Sequence, residues 1–338
     1  MNEAALDHLS HASKTLPDWL RLYSKIVCVL TGLLIFVGAL VTSHDAGLSV
    51  PDWPTTYGQN MFTFPYEMWL GGIFYEHGHR LFASGIGFLI LLLALFAYFY
   101  EPRAWVRNLS YLALGAVIIQ GLLGGLTVLF GLPDAISVSH AVLGQSLFVL
   151  TLTIAWAQSK EYEHKPILTT SEQALSGLAI FTALTVFLEL IVGAMMRHSA
   201  SGLAVPDFPT MGAAYSPFID ETRLFLINEM RRGLGLTNVS YYQVSIHLLH
   251  RGVAVLVTCS VFALYIKSVM LISPKSLVRA GARLLAMIVI LQFTLGATTV
   301  LTQRHPLVAS AHVFFGAVTL GVAVLVALRG GVSGRRSV

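Results

Sequence analysis

Long apolar stretches dominate this sequence. Eight of them approach or exceed the roughly 20 residues that an α-helix needs to cross a bilayer. They are predicted at about residues 22–41, 80–100, 109–129, 136–157, 174–196, 244–266, 284–301 and 307–328. Of all residues 55% are hydrophobic and only 11% are charged, too few charges for the surface of a soluble domain. The stretches lack the period-two alternation of a membrane β-barrel. We therefore expect an all-α integral membrane protein with eight transmembrane helices.

Positive charge is distributed unequally between the two sets of loops. If both termini are cytoplasmic, the inside segments hold Lys14, Arg21, Lys25, Arg103, Arg107, Lys160, Lys165, Lys267, Lys275, Arg279, Arg283, Arg329, Arg335 and Arg336. The outside segments hold Arg197, Arg223, Arg231, Arg232 and Arg304, with Arg80 and Arg251 at outer helix ends. The positive-inside rule therefore predicts cytoplasmic termini. The pI near 9.1 reflects this asymmetry. The basic residues form no clustered patch, so nucleic acid is not an expected partner.

The residues before the first span suggest a compartment. They lack the basic region and cleavage site of a secretory signal peptide, and also the Arg-rich, acid-poor composition of a transit peptide. We therefore expect a bacterial inner membrane. The two cysteines, Cys28 and Cys259, both fall inside predicted spans rather than in an outer loop. We expect no structural disulfide, and we interpret both thiols as small buried side chains.

An internal repeat divides the chain into two halves. The segment 47–55 (GLSVPDWPT) recurs as 202–210 (GLAVPDFPT), and 76–80 (EHGHR) matches 247–251 (HLLHR). Further matches follow in the same order: Gln120 with Gln292, and His140 with His312. Polar and proline residues provide most of the identity, so the repeat is more than shared hydrophobicity. Each half has four predicted spans, and an even number inserts both halves in the same orientation.

The repeat predicts two four-helix bundles related by a pseudo-twofold axis along the membrane normal. The expected segments are a cytoplasmic N-terminal segment 1–21, an N-terminal bundle 22–157, a cytoplasmic linker 158–173, a C-terminal bundle 174–328 and a cytoplasmic tail 329–338. Long outer loops are expected at about 43–75 and 197–240. Their Pro-Asp-Trp-Pro and Pro-Asp-Phe-Pro segments do not continue a helix, and we expect them to cap the outer ends of the bundles.

Histidines near the outer ends of four spans are the strongest functional candidates, because ionisable residues in membrane helices usually mark a site. His79 and His140 lie at similar depth in the first half, and His250 and His312 do so in the second. Two imidazoles on facing helices of a bundle can ligate the iron of a haem. A single histidine at a helix end is more often an interfacial polar residue, but two repeated pairs argue against that interpretation. A zinc centre would need three or four converging protein ligands.

The repeat is unequal beside these histidines. Glu76 precedes His79 by three residues and shares its helix face if the helix extends that far, whereas His247 occupies the equivalent position in the second half. We predict that only the first half has a carboxylate beside its iron ligand. A carboxylate there can relay protons or stabilise positive charge. The alternative is that Glu76 is a solvated interfacial residue.

Two further pairs of residues are weaker candidates. Arg80 and Arg251 directly follow the ligand candidates and can pair with haem propionates or extend to the interface. His77 and His247 fit a position at the rim of their site as well as they fit a binding role.

With these motifs the chain resembles the haem A synthase family, which includes the bacterial enzyme and its mitochondrial homologue. The residues that carry the resemblance are segment 47–54, the Glu76-x-x-His79-Arg80 motif, His140, the His250-Arg251 pair and His312, and it covers about residues 20–330. The resemblance implies an oxidoreductase acting on a CH group. It would oxidise the C8 methyl of haem O to a formyl group in two steps through the alcohol haem I, giving haem A for cytochrome oxidase biogenesis.

By this resemblance the N-terminal half holds the substrate, haem O, between His79 and His140, with Glu76 as the catalytic carboxylate. The C-terminal half holds a permanent haem b between His250 and His312, and Arg80 and Arg251 contact cofactor. Partners would be haem O, haem A and membrane lipid, together with the haem O-producing farnesyltransferase and cytochrome oxidase assembly factors. Many bacterial members of the family carry a cysteine pair in an outer loop, and this sequence has none, so the electron acceptor and its entry route stay open. The motifs do not distinguish dioxygen from water as the source of the inserted oxygen.

Three other functions fit parts of the pattern. A di-haem electron carrier resembling cytochrome b would need no Glu76. A transporter with histidine proton relays would have broken helices at mid-bilayer, whereas these histidines lie near one side. A haem chaperone or structural subunit would bind haem without changing it.

Overall fold

The computed structural model describes residues 16–164, 168–216 and 218–332. In this part of the chain eight helices are long and apolar enough to cross a membrane. They are α1 (Asp18–Ser43), α2 (Gly72–Tyr100), α3 (Ala104–Leu129), α4 (Asp134–Ala157), α5 (Ser176–His198), α6 (Tyr241–Leu271), α7 (Leu277–Leu301) and α8 (Pro306–Ala327). All eight predicted spans are confirmed, and the described residues contain no β-strand. The protein is an all-α, multi-pass membrane protein.

Some residues of the predicted inside segments lie outside the described residues. They are Lys14, Lys165, Arg335 and Arg336, together with most of segment 1–21 and of tail 329–338.

Helices α2 and α7 begin well before the hydropathy pattern predicts. Helix α2 starts at Gly72 rather than near residue 80, and α7 starts at Leu277 rather than near residue 284. Hydropathy identifies the part of a helix that lies in hydrocarbon, whereas the backbone stays helical beyond it, where polar side chains are tolerated. The longer α2 places Glu76 and His79 on one continuous helix.

Each half closes its four helices into a ring. In the first half α1 packs against α2 and α4, and α3 packs against the same two neighbours. In the second half α5 packs against α6 and α8, and so does α7. The halves meet where α1 contacts α8 and α4 contacts both α5 and α8. The order of neighbours is the same in both halves, and the twofold axis between them stays a prediction.

Small residues let the two halves approach closely. The Phe148 ring of α4 lies between Gly32 of α1 and Gly321 of α8. A Cβ would lie 3.1 Å from the ring at Gly32 and 3.0 Å from it at Gly321. Glycine at helix contacts inside a membrane is common, because helix association there depends on close packing.

The two cysteines differ in their surroundings. Both are free thiols, and Cys28 is buried between the halves with Phe148 and Ala317. Cys259 is exposed on α6, so the interpretation of both as buried side chains is wrong for it. An exposed position on a membrane helix faces lipid, where an apolar thiol is as acceptable as in a protein core.

The outer loops are ordered by a matched pair of aspartates. Asp52 accepts hydrogen bonds from the backbone N–H of Tyr57 and Gly58, both at 2.8 Å. Asp207 accepts from Gly212 at 2.8 Å and Ala213 at 2.9 Å. Burial raises the pKa of each carboxyl, but these hydrogen bonds outweigh it and hold both pKa values below the usual range. Each Pro-Asp segment therefore forms a fixed turn.

Candidate functional site

The four histidines lie near the N-terminal ends of α2, α4, α6 and α8, at the same end of the two bundles. The ring centroids of His250 and His312 are 6.3 Å apart, with the rings nearly perpendicular. His79 and His140 are close enough to interact electrostatically. The fold thus brings together each pair that the sequence proposed.

Each of the four rings lies against a glycine of a neighbouring helix. The pairs are His79 on Gly38, His140 on Gly124, His250 on Gly193 and His312 on Gly296, and a Cβ at these glycines would lie 3.1, 3.1, 3.3 and 3.2 Å from the nearest ring atom. A side chain at any of them would press on an imidazole. These four glycines were not among the predicted site residues, although Gly38 matches Gly193 and Gly124 matches Gly296 in the repeat.

The rings do not all face their glycine in the same way. His140, His250 and His312 place Cε1 nearest the glycine, and their Nδ1 atoms are buried without a hydrogen bond. Nδ1 is closer than Nε2 to the glycine in His140 and His250, whereas both nitrogens are 3.7 Å from the Cβ position in His312. His79 differs from all three, because Nε2 is its atom nearest the glycine; a turn of the ring about the Cβ–Cγ bond would direct Nε2 away from Gly38.

These residues fit a haem better than a zinc ion. A haem brings four nitrogens of its own and needs only axial ligands from the protein. The 6.3 Å between the His250 and His312 centroids accommodates one metal atom bound by each ring at about 2 Å. Among the described residues no group of three or more His, Cys, Asp or Glu side chains is arranged to hold a metal ion. A zinc centre with three or four protein ligands is therefore not supported.

Glu76 is buried rather than solvated, with 4% of its surface exposed, so the interfacial interpretation is wrong. The backbone N–H of Val50 donates to its Oε2 at 2.8 Å, and Arg80 donates to its Oε1 at 2.6 Å. The carboxylate thus joins α2 to the outer loop and forms an ion pair with Arg80. A fixed carboxylate next to a histidine can accept or release a proton at a defined place.

The prediction that only the first half has a carboxylate beside its histidine is wrong. Oε1 of Glu189, on α5, lies 3.0 Å from Nδ1 of His250. The sequence Val-Gly-Ala occurs at 37–39 in α1 and again at 192–194 in α5, and this match aligns Glu189 with Leu34 of α1. The match of 76–80 with 247–251 covers α2 and α6 only. A lone carboxylate in an apolar span was the signal that could have identified it.

His77 and His247 hold the outer loops rather than line an open rim. Nδ1 of His77 lies 3.1 Å from Oγ1 of Thr56, and the ring is fully buried against Trp69. Nδ1 of His247 lies 3.0 Å from the carbonyl oxygen of Ser201. His247 and Glu76, at equivalent positions, therefore both bind the loop of their own half.

Arg80 and Arg251 bind loop carbonyls in matching ways. Arg80 donates to the carbonyls of Val50, Asp52 and Thr55 at 2.7–3.2 Å. Arg251 donates to those of Val205, Asp207 and Thr210 at 3.2, 2.8 and 2.9 Å respectively. These contacts place the cap segments over the ends of the bundles.

The aromatic residue of each cap packs on the helix that backs a histidine. The Trp53 indole lies so close to Gly125 of α3 that a Cβ there would overlap it. In the second half Phe208 packs edge-on against Phe293 of α7, with centroids 5.6 Å apart, and Ala297 replaces Gly125. The larger indole of Trp53 thus packs on glycine, and the smaller ring of Phe208 is paired with alanine at the equivalent position. In each half the aromatic side chain fixes the cap on the helix behind the histidine.

Gln120 and Gln292 form another matched pair beside the histidines. Nε2 of Gln120 donates to the His140 carbonyl at 3.0 Å. The side-chain oxygens of both glutamines are buried without a hydrogen bond. The repeat identified these residues but not this role, which depends on contacts between helices.

A cavity of about 670 Å³ lies away from the histidines, at the opposite end of the protein, between α1, α4 and the end of α8. Four basic residues line it, and three of them, Arg21, Lys160 and Arg329, are paired with Glu163, Asp18 and Glu161 respectively. Its charged rim is largely neutralised within the protein.

Comparison with known proteins agrees with this geometry. The family model of the COX15-CtaA cytochrome oxidase assembly proteins matches residues 21–324. The chain is 27% identical to the haem A synthase of Shouchella clausii, over 81% of this chain and 84% of that protein. It is 29% identical to the haem A synthase of Anaplasma marginale strain St. Maries, over 90% and 92%, and 26% identical to that of Shewanella oneidensis, over 85% and 89%.

These matches confirm the resemblance predicted from the motifs, and they extend over both halves of the chain. The protein therefore belongs to the COX15-CtaA family of cytochrome oxidase assembly proteins and is a relative of bacterial haem A synthases.

Proposed function

We propose that this protein is a haem A synthase, which oxidises the C8 methyl group of haem O to a formyl group through the alcohol haem I. The observation that carries the proposal is the pair of unequal histidine sites, of which the first has Glu76 at its edge, tied to the outer cap. The two oxidations together remove four electrons from the methyl carbon, so the protein needs a place for the substrate and a route for electrons.

The N-terminal bundle, residues 22–157, is the proposed substrate site. His79 and His140 hold the iron of haem O between α2 and α4, and the glycines behind them let the rings sit close to the helix backbones. Glu76 is the proposed catalytic carboxylate. It takes up protons released at the methyl carbon, or its charge stabilises positive charge there. The ion pair with Arg80, at 2.6 Å, fixes its position.

The C-terminal bundle, residues 174–328, is the proposed site of a permanent haem b held by His250 and His312. When bound, this haem supplies a one-electron carrier beside the substrate site. This bundle contacts the first half through α5 and α8, which both pack against α4. Linker 158–173 connects the two bundles, and segments 1–21 and 329–338 are the proposed cytoplasmic ends of the chain.

Arg80 and Arg251 are proposed to contact the haem propionates beside the cap segments that these arginines bind. Their guanidinium groups already bind three loop carbonyls each. A propionate paired with either arginine would lie beside that cap segment. The same residues would then order the cap and fix the orientation of the macrocycle.

The membrane location suits the substrate. Haem O carries a farnesyl chain, and its entry between helices from the lipid avoids transfer of a large apolar surface through water. We propose the bacterial plasma membrane, with both termini cytoplasmic according to the charge bias. Proposed partners are the farnesyltransferase that makes haem O and the assembly factors of cytochrome oxidase.

Co-expression with a haem O-producing farnesyltransferase tests the proposal. Haems are extracted from the membranes and separated by chromatography, and we expect haem A together with haem I. Recovery of haem B and unchanged haem O alone would refute the synthase and leave a di-haem electron carrier or a haem chaperone. The Glu76→Ala variant is the matched control, because it leaves all four histidines in place.

A further inference from the structure

Glu189 is a buried carboxylate that the proposed reaction does not use. It lies in the middle of α5, and its side chain is 15% exposed. Oε1 lies 3.0 Å from Nδ1 of His250, although the ring is not aligned for a hydrogen bond, and Oε2 has no hydrogen-bond partner. A carboxylate in a membrane helix is costly unless it has a role or a partner. Its near partner is the His250 ring.

The equivalent place in the first half gives a direct comparison. Gly38 of α1 and Gly193 of α5 both support the histidine of the next helix. One turn before each glycine stands Leu34 in α1 and Glu189 in α5. The His250 ring turns Cε1 and Nδ1 towards α5, whereas His79 turns Nε2 and Cδ2 towards α1. The ring orientation thus differs where the neighbouring residue differs.

We propose that Glu189 is a positioning residue that orients His250 and lowers the reduction potential of the haem in the C-terminal half. Nδ1–H of His250 donates to the Glu189 carboxylate after a small rotation of the ring, which directs Nε2 away from α5 and into the site. This inference rests on the proposed haem b site. Different haem reduction potentials are then expected in the two halves, because Leu34 of α1 and Glu189 of α5 occupy equivalent positions.

The physical reason is the effect of an acceptor on the far side of a ligating imidazole. A carboxylate that accepts the Nδ1 hydrogen bond makes the imidazole a stronger electron donor through Nε2. A stronger donor stabilises the oxidised iron relative to the reduced iron. Burial strengthens the effect, because little water screens the carboxylate. Leu34 provides no such acceptor for His79.

The test is a redox titration of the purified full-length protein, produced in cells that make no haem O, so that the C-terminal haem is measured alone. Glu189→Leu introduces the residue of the first half and is expected to raise the midpoint potential. Glu189→Gln keeps an acceptor without the charge and is expected to give a smaller rise. The control is Thr185→Val, one turn earlier on α5, where Oγ1 approaches Ser260 instead of a histidine.

A midpoint potential in Glu189→Gln equal to that of the parent, with the haem retained, would overturn the inference. If Glu189→Leu fails to retain haem, the Gln variant decides in the same way. A shift of equal size in Thr185→Val would also overturn it, since the cause would then be general loosening of α5.

Failure of the underlying site assignment gives a different result. If substitution of His250 or His312 leaves the low-spin haem spectrum unchanged, the C-terminal site itself is wrong. If those substitutions remove the spectrum while the Glu189 variants keep the parent potential, only the role of Glu189 is wrong.

Discussion

The two halves share one histidine arrangement but carry their carboxylates on different helices. In the first half Glu76 of α2 is bound to the outer loop and to Arg80. In the second half Glu189 of α5 faces the His250 ring. Glu76, fixed at the cap, is placed to act on a substrate that binds beside it. Glu189, behind the proposed iron ligand His250, is placed to act on that imidazole. This difference is the basis for our proposal that the first half carries out the chemistry and the second half transfers electrons.

Removal of Glu76 should give the largest difference between the halves. We expect Glu76→Ala to lower haem A formation by about 10²- to 10⁴-fold, the usual contribution of a general acid or base, with the C-terminal haem unaffected. Haem chromatography measures the product, and the absorption spectrum measures the resident haem.

Two variants separate catalysis from loop anchoring. Glu76→Gln can still accept from Arg80 and should be nearly as inactive as the alanine variant. His247→Ala, at the equivalent position, should retain most activity. Normal haem A formation in Glu76→Ala would show that the catalytic assignment is wrong.

Substitution of His312 should affect the other half. We expect His312→Met to change or abolish the low-spin spectrum of the permanent haem, because thioether and imidazole differ as iron ligands. The matched control is His305→Ala, an exposed histidine just before α8, which should leave the spectrum as it is. An unchanged spectrum in His312→Met would refute the assignment of haem b to the C-terminal half.

An added methyl group behind one histidine should give an intermediate effect. In Gly124→Ala the Cβ would lie 3.1 Å from Cε1 of His140, so the ring must shift by a few tenths of an ångström. We expect haem A formation to fall by about tenfold, since small misplacements near the reacting group are costly. Gly121→Ala on the same helix meets nothing within 4 Å and should behave as the parent. Equal activity in the two variants would contradict the close packing at His140.

Loss of the turn in one cap should give the smallest effect. Asp52→Ala removes the acceptor for Tyr57 and Gly58, and we expect a fall in Tm of about 2 °C. The pKa of Asp52 is lowered on folding, so this stabilisation is fully present above the ordinary carboxyl pKa. It is lost as the pH falls through the lower folded value. The Tm difference between parent and variant should therefore be constant from pH 6 to 8 and shrink only in acid, and a difference that changes near neutrality would contradict this origin.

The membrane-spanning part of the fold was predictable from the sequence. Eight apolar stretches had to be helices, because the backbone has no other way to satisfy its hydrogen bonds in lipid. The repeat then placed His79 with His140 and His250 with His312 at matching depths. Hydropathy did not place the start of α2, because residues 72–79 are helical beyond the apolar stretch.

The details of the site depend on contacts that sequence spacing does not encode. The carbonyl partners of Arg80 come from a loop about 25–30 residues away, and their register is set by the folded cap. The glycines behind the histidines lie on neighbouring helices, so only helix packing reveals them. Glu189 was visible as a lone carboxylate in an apolar span, and the comparison of α2 with α6 alone left it unnoticed.

The most direct test of unequal halves is the haem content of the purified protein from cells with and without haem O. We predict one haem B in both preparations, lost only when His250 or His312 is changed. A second pigment, as haem O, haem I or haem A, should appear only when haem O is supplied and should depend on His79 and His140. If haem O or its products replace both haems, or if neither site responds to the supply, the division into a substrate half and a cofactor half is wrong.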